Sequence, residues 1–452
     1  MRKNVSVKEV VRFPRTHEGG VAAISTKEQD LRRSVMSCLL WEGTFYENGV
    51  EISQRISDLV KEVDYRVVRD IAVEARTRHG IRHASLLLAC EMAGLPIPKE
   101  DRWIISKTIS DVICRADELA EFLALYWRRG RRPLSKQVKK GLALAFRKFD
   151  EYELAKYDRD YPIRLRDVLL LCHPKPKDSR QSDLWKRLIE RRLATPNTWE
   201  VRLSSGEDKK SVWESLLRGN KIGALALLRN LRNMLSVGVD RGLLWQSIAR
   251  ADVSGVFPFQ IYSAWLNVPP EEFAIRLELE RCFVRRMESS RIRFGGTTSI
   301  LVDVSGSMED QLSERGSVLR YQAAGSLAVI LSHLCDRLYV FSFSNSSVQV
   351  EPEPGFSFVE KIWRSQENGG TYVQSALDKA KSLNPDRIII ITDGQIHDSL
   401  YPPGCRGYVI NVAPYKHGIG YGNWIVIDGF SQAVIEYIHL YEEELSQPKP
   451  AN

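Results

Sequence analysis

Three things are missing from this chain of 452 residues. No apolar run approaches the roughly 18–20 residues that cross a bilayer. The basic opening MRKNVSVKEVVRFPR has no apolar stretch behind it, so neither a membrane span nor a secretory signal is expected. Cysteine is sparse: the seven residues Cys38, Cys90, Cys114, Cys172, Cys282, Cys335 and Cys405 are scattered and form no C-x-x-C pair. That argues against a zinc site and against a disulfide framework. There is also no G-x-x-x-x-G-K-[ST] loop to cradle nucleotide phosphates. The expected address is the cytoplasm, with no membrane partner. Asn345-Ser346-Ser347 fits a glycosylation acceptor, but without a secretion signal the match reads as chance.

What is present is ordinary in kind and uneven in distribution. Hydrophobic content of 43% and charged content of 27% are those of a globular protein, and the length predicts two or three domains. The net charge of +8 is split unequally. Residues 301–452 carry 11 basic and 18 acidic side chains, and the first 300 carry 54 and 39. Such asymmetry points to a polyanion-binding first part joined to something different.

From about residue 27 to 290 the pattern is helical. ISQRISDLVKEV, VRDIAVEARTRHG, ADELAEFLALYWRRG and GALALLRNLRNMLSVG place apolar residues three and four apart. Punctuators such as Gly80, Gly130, Pro133, Pro162, Pro174, Pro196 and Pro269-Pro270 separate them. A dozen or so helices in succession read as an irregular HEAT-like helical-repeat array without a strict repeat. Near residue 295 the texture changes. TTSILVDVS, DRLYVFSFS, SVQVEPE, DRIIIITDG, RGYVINVAP and NWIVIDGF are short β-rich runs, interleaved with or followed by the helical stretches SVLRYQAAGSLAVILSHL, TYVQSALDKAKSL and SQAVIEYIHLYEEEL. The alternation predicts an α/β, doubly wound, Rossmann-like unit with a parallel sheet covered on both faces. Ligands in such units sit at the carboxyl ends of the strands.

Asp303, Ser305 and Ser307 fall at the end of the first predicted strand, in LVDVSGSM. Asn368-Gly369-Gly370-Thr371 reads as a glycine turn opening a helix, and Asp393 ends another strand. The five side chains Asp303, Ser305, Ser307, Thr371 and Asp393 are therefore expected at one sheet edge. All offer oxygen and only two are anionic, which suits one hard divalent cation: Mg2+ first, with Ca2+ and Mn2+ as alternatives. The simpler alternative, a Ser cap and two loop aspartates, requires five coincidences. This arrangement resembles the metal-ion-dependent adhesion site of von Willebrand factor A domains. The resemblance implies direct coordination by Ser305, Ser307 and often Thr371, with Asp303 and Asp393 acting partly through water. It also implies an acidic group from a protein partner at the open position. With both aspartates engaged in this way, the site reads as binding rather than catalytic.

WRRGRRPLSKQVKKGLALAFRKF, residues 127–149, concentrates positive charge: nine of the 21 residues from Arg128 to Lys148 are basic and none is acidic. Pro133 suits the first turn of a helix. On that helix Lys136, Lys139, Lys140 and Arg147 share a sector of roughly 100°. Val138, Leu142, Ala145, Phe146 and Phe149 take another, suited to a core. Arg128, Arg129, Arg131 and Arg132 precede this face; Lys156, Arg159, Arg164, Arg166, His173, Lys175 and Lys177 follow it. Together they are the candidate polyanion-binding set, because a row of exposed cations can read phosphates; the family resemblance described next makes that polyanion RNA. A solubilising surface is the dull alternative for the helix, and a turn-capping or packed side chain is the dull alternative for His173. Trp41, Phe45, Tyr46 and Trp127 could stack on bases, but their apolar neighbours make a core role the better expectation.

LALAFRKFDEYELAKYDRDYPIRLRDVLLLCHPKPKD, TPNTWEVRLSSGEDKK, GALALLRNLRNM and VFPFQIYSAW together resemble the TROVE domain of the Ro 60-kDa autoantigen family, in its prokaryotic Ro-related branch. The resemblance runs from about residue 16 to 290, and a von Willebrand factor A domain directly behind it is the family's arrangement. The implied domains are an arm over 1–15, a TROVE domain over 16–292, an A domain over 293–445 and a tail over 446–452. The implied fold is a helical-repeat ring closed by the A domain. The implied partners are small noncoding Y RNAs on a basic outer surface and single-stranded 3′ ends of misfolded RNA in a central hole. An exoribonuclease recruited through the tethered RNA is a further implied partner. Lys156 in AKY and His173 in LCHPKP match residues tied to Y-RNA binding. Asp160 departs from the animal pattern, which is basic there.

The leading expectation is thus a monomeric, non-enzymatic RNA-binding scaffold of RNA quality control. The alternative is a metal-dependent protein-interaction module without a specific RNA.

Overall fold

The computed structural model describes residues 25–36, 49–158, 160–194, 199–204, 206–312, 318–413, 419–420, 422–429 and 432–446. The chain divides into two compact units. One comprises the described residues of Met1–Arg33 and Arg293–Phe430; the other comprises those of Ser34–Gly43, Asn48–Ile292 and Ser431–Asn452. The helix Gln432–Ser446 is therefore grouped with the helical unit.

Among the described residues, sixteen helices run between Lys27 and Glu288, most of them 9–13 residues long. Their starts are marked by residues that satisfy the open backbone N–H groups of the first turn. Asp64, Ser135, Asp150, Asp178, Asp208 and Asp240 each accept a backbone N–H from the first turn of the helix that follows. Neighbouring helices then pack through their apolar faces. The helix Lys136–Phe146 lies against Trp103–Val112 and against Leu165–Cys172. Gly141 explains the closeness of the first contact: a Cβ there would stand 2.7 Å from Ile109 Cβ and 2.9 Å from the Ser106 carbonyl oxygen. Pro133 does not open this helix, as the sequence had suggested. Ser135 is the cap and Lys136 the first helical residue, leaving Pro133 in the preceding loop, where its carbonyl accepts from Tyr126 Oη at 3.3 Å.

The other unit holds a six-stranded sheet. Its strands are β1 (Phe294–Asp303), β2 (Cys335–Phe343), β3 (Ser347–Val350), β4 (Arg387–Thr392), β5 (Arg406–Asn411) and β6 (Ile425–Asp428). The order is β3-β2-β1-β4-β5-β6. Each of the six apolar runs read as strands is a strand. The sheet is mixed rather than wholly parallel, because β3 runs antiparallel to β2. Only Ser344, Asn345 and Ser346 join them, too few for the crossover that a parallel neighbour requires. The other pairs are parallel. Leu301, Phe341, Phe343, Ile388, Ile390 and Val409 form a core with Val373, Ala376, Leu377 and Ala380, three of which lie on the helix Gln374–Ser382. The helix Arg320–Ser332 packs against β1 and β2, and also against the helix Ser357–Trp363. It is apolar nearly all round, as a helix enclosed on several sides must be. β1 lies between β2 and β4, so the carboxyl ends of these three strands share one edge.

Candidate functional site

Asp303 is the last residue of β1, and Asp393 follows β4 directly; both are buried. Three hydrogen bonds draw the edge together. Ser305 donates to Asp303 Oδ1 through its backbone N at 2.9 Å and its Oγ at 2.6 Å. From the neighbouring strand, Thr392 Oγ1 donates to Asp303 Oδ2 at 2.5 Å. Ser307, at the start of the short 3-10 turn Gly306–Glu309, brings its Oγ to 3.3 Å from Ser305 Oγ. Burial, and then the neighbouring charge of Asp393, push the Asp303 carboxyl well above the usual carboxylate range.

Thr371 reaches the same edge on a loop that is fastened at several points. The Gly306 N–H donates to the Gly369 carbonyl at 3.1 Å, and Asn368 Nδ2 donates to the Val304 carbonyl at 2.8 Å. The Gly369 N–H donates to Ser344 Oγ at 2.8 Å. Thr371 itself is clasped by His397: its N–H donates to His397 Nδ1 at 3.0 Å, and its carbonyl accepts the His397 N–H at 2.9 Å. Thr371 does not open a helix, as the sequence had suggested. The helix begins at Gln374, and Asp398 accepts the N–H groups of Val373 and Gln374. A Cβ at Gly369 would stand 2.2 Å from Asn345 Nδ2, so any larger residue would displace the Asn345 side chain, whose Oδ1 accepts the Gly370 N–H at 2.8 Å. Tyr372, 43% exposed, stacks on His397 at 5.0 Å between ring centres and forms the rim.

The five residues named from the sequence thus lie at the end of β1, just after β4 and on loops bonded to that edge, at a single end of the sheet. Among the described residues, no cluster of three or more His, Cys, Asp or Glu side chains is placed to hold a metal. A cation at this edge would depend on hydroxyl oxygens beside two carboxylates. Two adjacent buried carboxylates with three hydroxyl side chains are a donor set suited to a hard divalent cation. Missing from the sequence reading is Arg320, the first residue of its helix and only 2% exposed. Its Nη1 donates to the Ser307 carbonyl at 3.2 Å and lies 3.7 Å from Asp393 Oδ2. A lone Arg opening an otherwise apolar helix was the available signal.

In the helical unit, Lys136, Lys139 and Lys140 are exposed, while Val138, Leu142, Ala145, Phe146 and Phe149 are buried. The adjoining helix Leu165–Cys172 ends at His173, which is exposed. His173 also caps that helix in the left-handed region, at φ 47°, a place more often taken by Gly or Asn. Lys175 and Lys177 follow, both exposed. Lys139 stands close enough to Cys172 to oppose the rise of its thiol pKa, which burial pushes up to about 12.

Other members of the set are more committed. Arg128 is half-buried, bonded to Ser57 Oγ and the Leu125 carbonyl and paired with Glu91. Arg129 lies 3.6 Å from the same Glu91. Arg131 covers the Trp127 ring at 5.0 Å, and Arg132 the Tyr126 ring at 3.9 Å. Arg147 is half-buried and Arg166 lies 3.7 Å from Asp167. Lys156 is placed over the rings of Tyr152 and Tyr157. Arg164 pairs with Asp160, so the departure from the animal pattern has a local partner. Beside them is a cavity of about 470 Å³ lined in part by Arg115, Tyr157, Tyr161 and Arg164. Arg159, Trp41, Phe45 and Tyr46 lie outside the described residues.

These features define a helix-rich protein with a mixed α/β sheet unit, an oxygen-rich sheet edge and a basic helical face. The TROVE domain family model matches residues 186–268. Telomerase protein component 1 of Mus musculus is 46% identical over 91 residues, 19% of this chain and 4% of that protein. The Rattus norvegicus protein of the same name is 44% identical over 80 residues, 18% of this chain and 3% of that protein. The chain thus spans only a few per cent of the length of these curated relatives. The crystal structure of the Deinococcus radiodurans RO (RSR) protein has a similar fold, with a TM-score of 0.60 at 17% identity, covering 92% of this chain and 100% of that one. The resemblance to the TROVE-domain Ro family therefore stands: the chain contains a TROVE-matching segment and has the fold of a Ro protein. TPNTWE, GALALLRNLRNM and VFPFQIYSAW lie inside the matched segment, whereas LALAFRKF and HPKPKD lie before it.

Proposed function

We propose that this protein is a non-enzymatic RNA-binding component of a Ro-type ribonucleoprotein, acting in RNA quality control. The observation that carries the reading is the basic face. Lys136, Lys139 and Lys140 are exposed on a helix whose opposite side is buried, and exposed His173, Lys175 and Lys177 follow from the helix packed beside it. Phosphates would supply most of the affinity, so binding should weaken steeply with salt. Recognition would rest on RNA shape and on free single strands rather than on base sequence. In this reading a small Y-like RNA sits on the basic surface, and single-stranded 3′ ends of misfolded RNA pass through a central hole. The tethered RNA can recruit an exoribonuclease. The test is the triple variant K136E/K139E/K140E. Affinity for a structured small RNA should fall at least about tenfold while circular dichroism stays native; unchanged affinity would refute this placement.

A second reading is favoured by the sheet edge and concerns the other unit, which we read as a von Willebrand factor A domain. Asp303, Ser305, Ser307, Thr371 and Asp393 would hold one divalent cation, Mg2+ first. Such a cation supplies an electropositive point that accepts an acidic side chain from a protein partner. Loops fastened by Asn368, Ser344 and His397 keep the oxygen atoms at the edge, and Tyr372 offers an aromatic rim. The double variant D303A/S305A should abolish metal-dependent partner capture and leave RNA binding intact. Loss of RNA binding instead would show that the two activities are not divided in this way.

A further inference from the structure

We infer that Arg320 is a built-in counter-cation of the sheet-edge site, ordering its ligands in advance and weakening its hold on a divalent cation. The inference rests on the metal-site reading above and concerns a residue outside that ligand set. Asp303 and Asp393 are buried side by side at the ends of β1 and β4. Two such carboxylates repel each other and have lost water as a partner. One compensation is a guanidinium that is as buried as they are. Arg320 stands 3.7 Å from Asp393 Oδ2 and donates to the Ser307 carbonyl at 3.2 Å. Its second nitrogen donates to Asp310 Oδ2 at 2.8 Å, and its backbone N–H donates to the Asp310 carbonyl at 3.0 Å. One side chain therefore ties both ends of the Ser307–Asp310 turn to the end of β4.

The consequence has two parts. The guanidinium keeps its charge under all ordinary conditions, so Ser307 and Asp393 are held without help from a metal. The same charge repels any divalent cation that enters, and in a buried site that repulsion is poorly screened. Such a site exchanges its cation readily and depends little on it for folding. It suits reversible binding of a partner more than a permanent structural metal.

The variants R320Q and R320M separate charge from packing, because Gln keeps polar atoms and Met only bulk. Binding of Mn2+ to the full-length protein can be followed by the loss of the free-ion paramagnetic resonance signal. The inference expects both variants to bind Mn2+ at least about threefold more tightly than the wild type. Both should melt at a lower temperature without metal, and both should gain more on adding Mg2+. R320K should fall between, since an ammonium keeps the charge but cannot span Ser307, Asp310 and Asp393 together. D303A/S305A supplies the background. Equal or weaker Mn2+ binding in natively folded R320Q and R320M would overturn this inference while leaving the metal site in place. No Mn2+ binding above background in any variant or in the wild type would overturn the metal-site reading itself, and the role of Arg320 with it.

Discussion

The Glu118 side chain is fully buried in the helical unit, and both of its oxygens have partners there. Its Oε2 accepts the backbone N–H groups of Cys114 at 2.7 Å and Arg115 at 3.0 Å, while its Oε1 accepts from Arg76 Nη2 at 2.7 Å. Arg82 Nε lies 3.4 Å from the same Oε1. Removing one partner of such a network strands the others without water, which typically costs about 3–5 kcal/mol. Glu118→Ala should therefore lower the unfolding free energy in urea by about that amount; a loss below ~1 kcal/mol would contradict the network's role. Little of this was legible in the sequence, where Glu118 is one acid on an amphipathic helix and its partner Arg76 is 42 residues away. The same holds for Arg128, one of a run of arginines until Glu91 and Ser57 are seen beside it. Cysteine shows the converse. The scattered set without C-x-x-C pairs suggested no disulfide framework; among the described residues Cys90, Cys114, Cys172, Cys282, Cys335 and Cys405 carry free thiols. Burial pushes the thiols of Cys90, Cys172 and Cys282 up and hides them, whereas Cys114 is exposed. In the native protein Cys114 should be alkylated by iodoacetamide well before those three, as peptide mass mapping can check; early labelling of Cys90 would contradict the packing.

Elements respond to pattern, and at this scale the sequence is informative. Period-three-and-four spacing over Lys136–Phe146 correctly separated exposed lysines from buried Val138, Leu142, Ala145 and Phe146. The strands β4, β5 and the second half of β1 stood out because nearly continuous apolar runs are buried on both faces, whereas β2, β3 and β6 are only partly buried. The antiparallel direction of β3 was set by a three-residue connection, a geometric constraint that apolar content does not report. The helix start at Lys136 rather than near Pro133 was set by the Ser135 cap, a local bond that outweighs the bare preference of proline. Gly141 offers a test of the helix contact. Ala has the better helix propensity by roughly 1 kcal/mol. The added Cβ would press on Ile109 Cβ and on the unyielding Ser106 carbonyl, an overpacking cost of about 1–3 kcal/mol. The second effect should win, so Gly141→Ala should lower the melting temperature; an unchanged or raised value would mean that the two helices can separate freely.

For the whole molecule, the account joins a basic helical unit to an α/β unit with an oxygen-rich edge, each with its own ligand chemistry. The charge asymmetry of the sequence carried much of this division, since 54 of the 65 basic side chains precede residue 301. The strand ends and the glycine turn placed Asp303, Thr371 and Asp393 at one edge; what the sequence did not show is Arg320, which meets Ser307, Asp310 and Asp393 only through the folded turn. The central claim is that the basic face carries a small structured RNA. The most direct test is to purify the protein from its native cells at low salt and sequence the RNA that accompanies it. The account predicts enrichment of one or two small stem-loop RNAs, lost when the salt is raised. Random fragments, or no RNA at all, would contradict it.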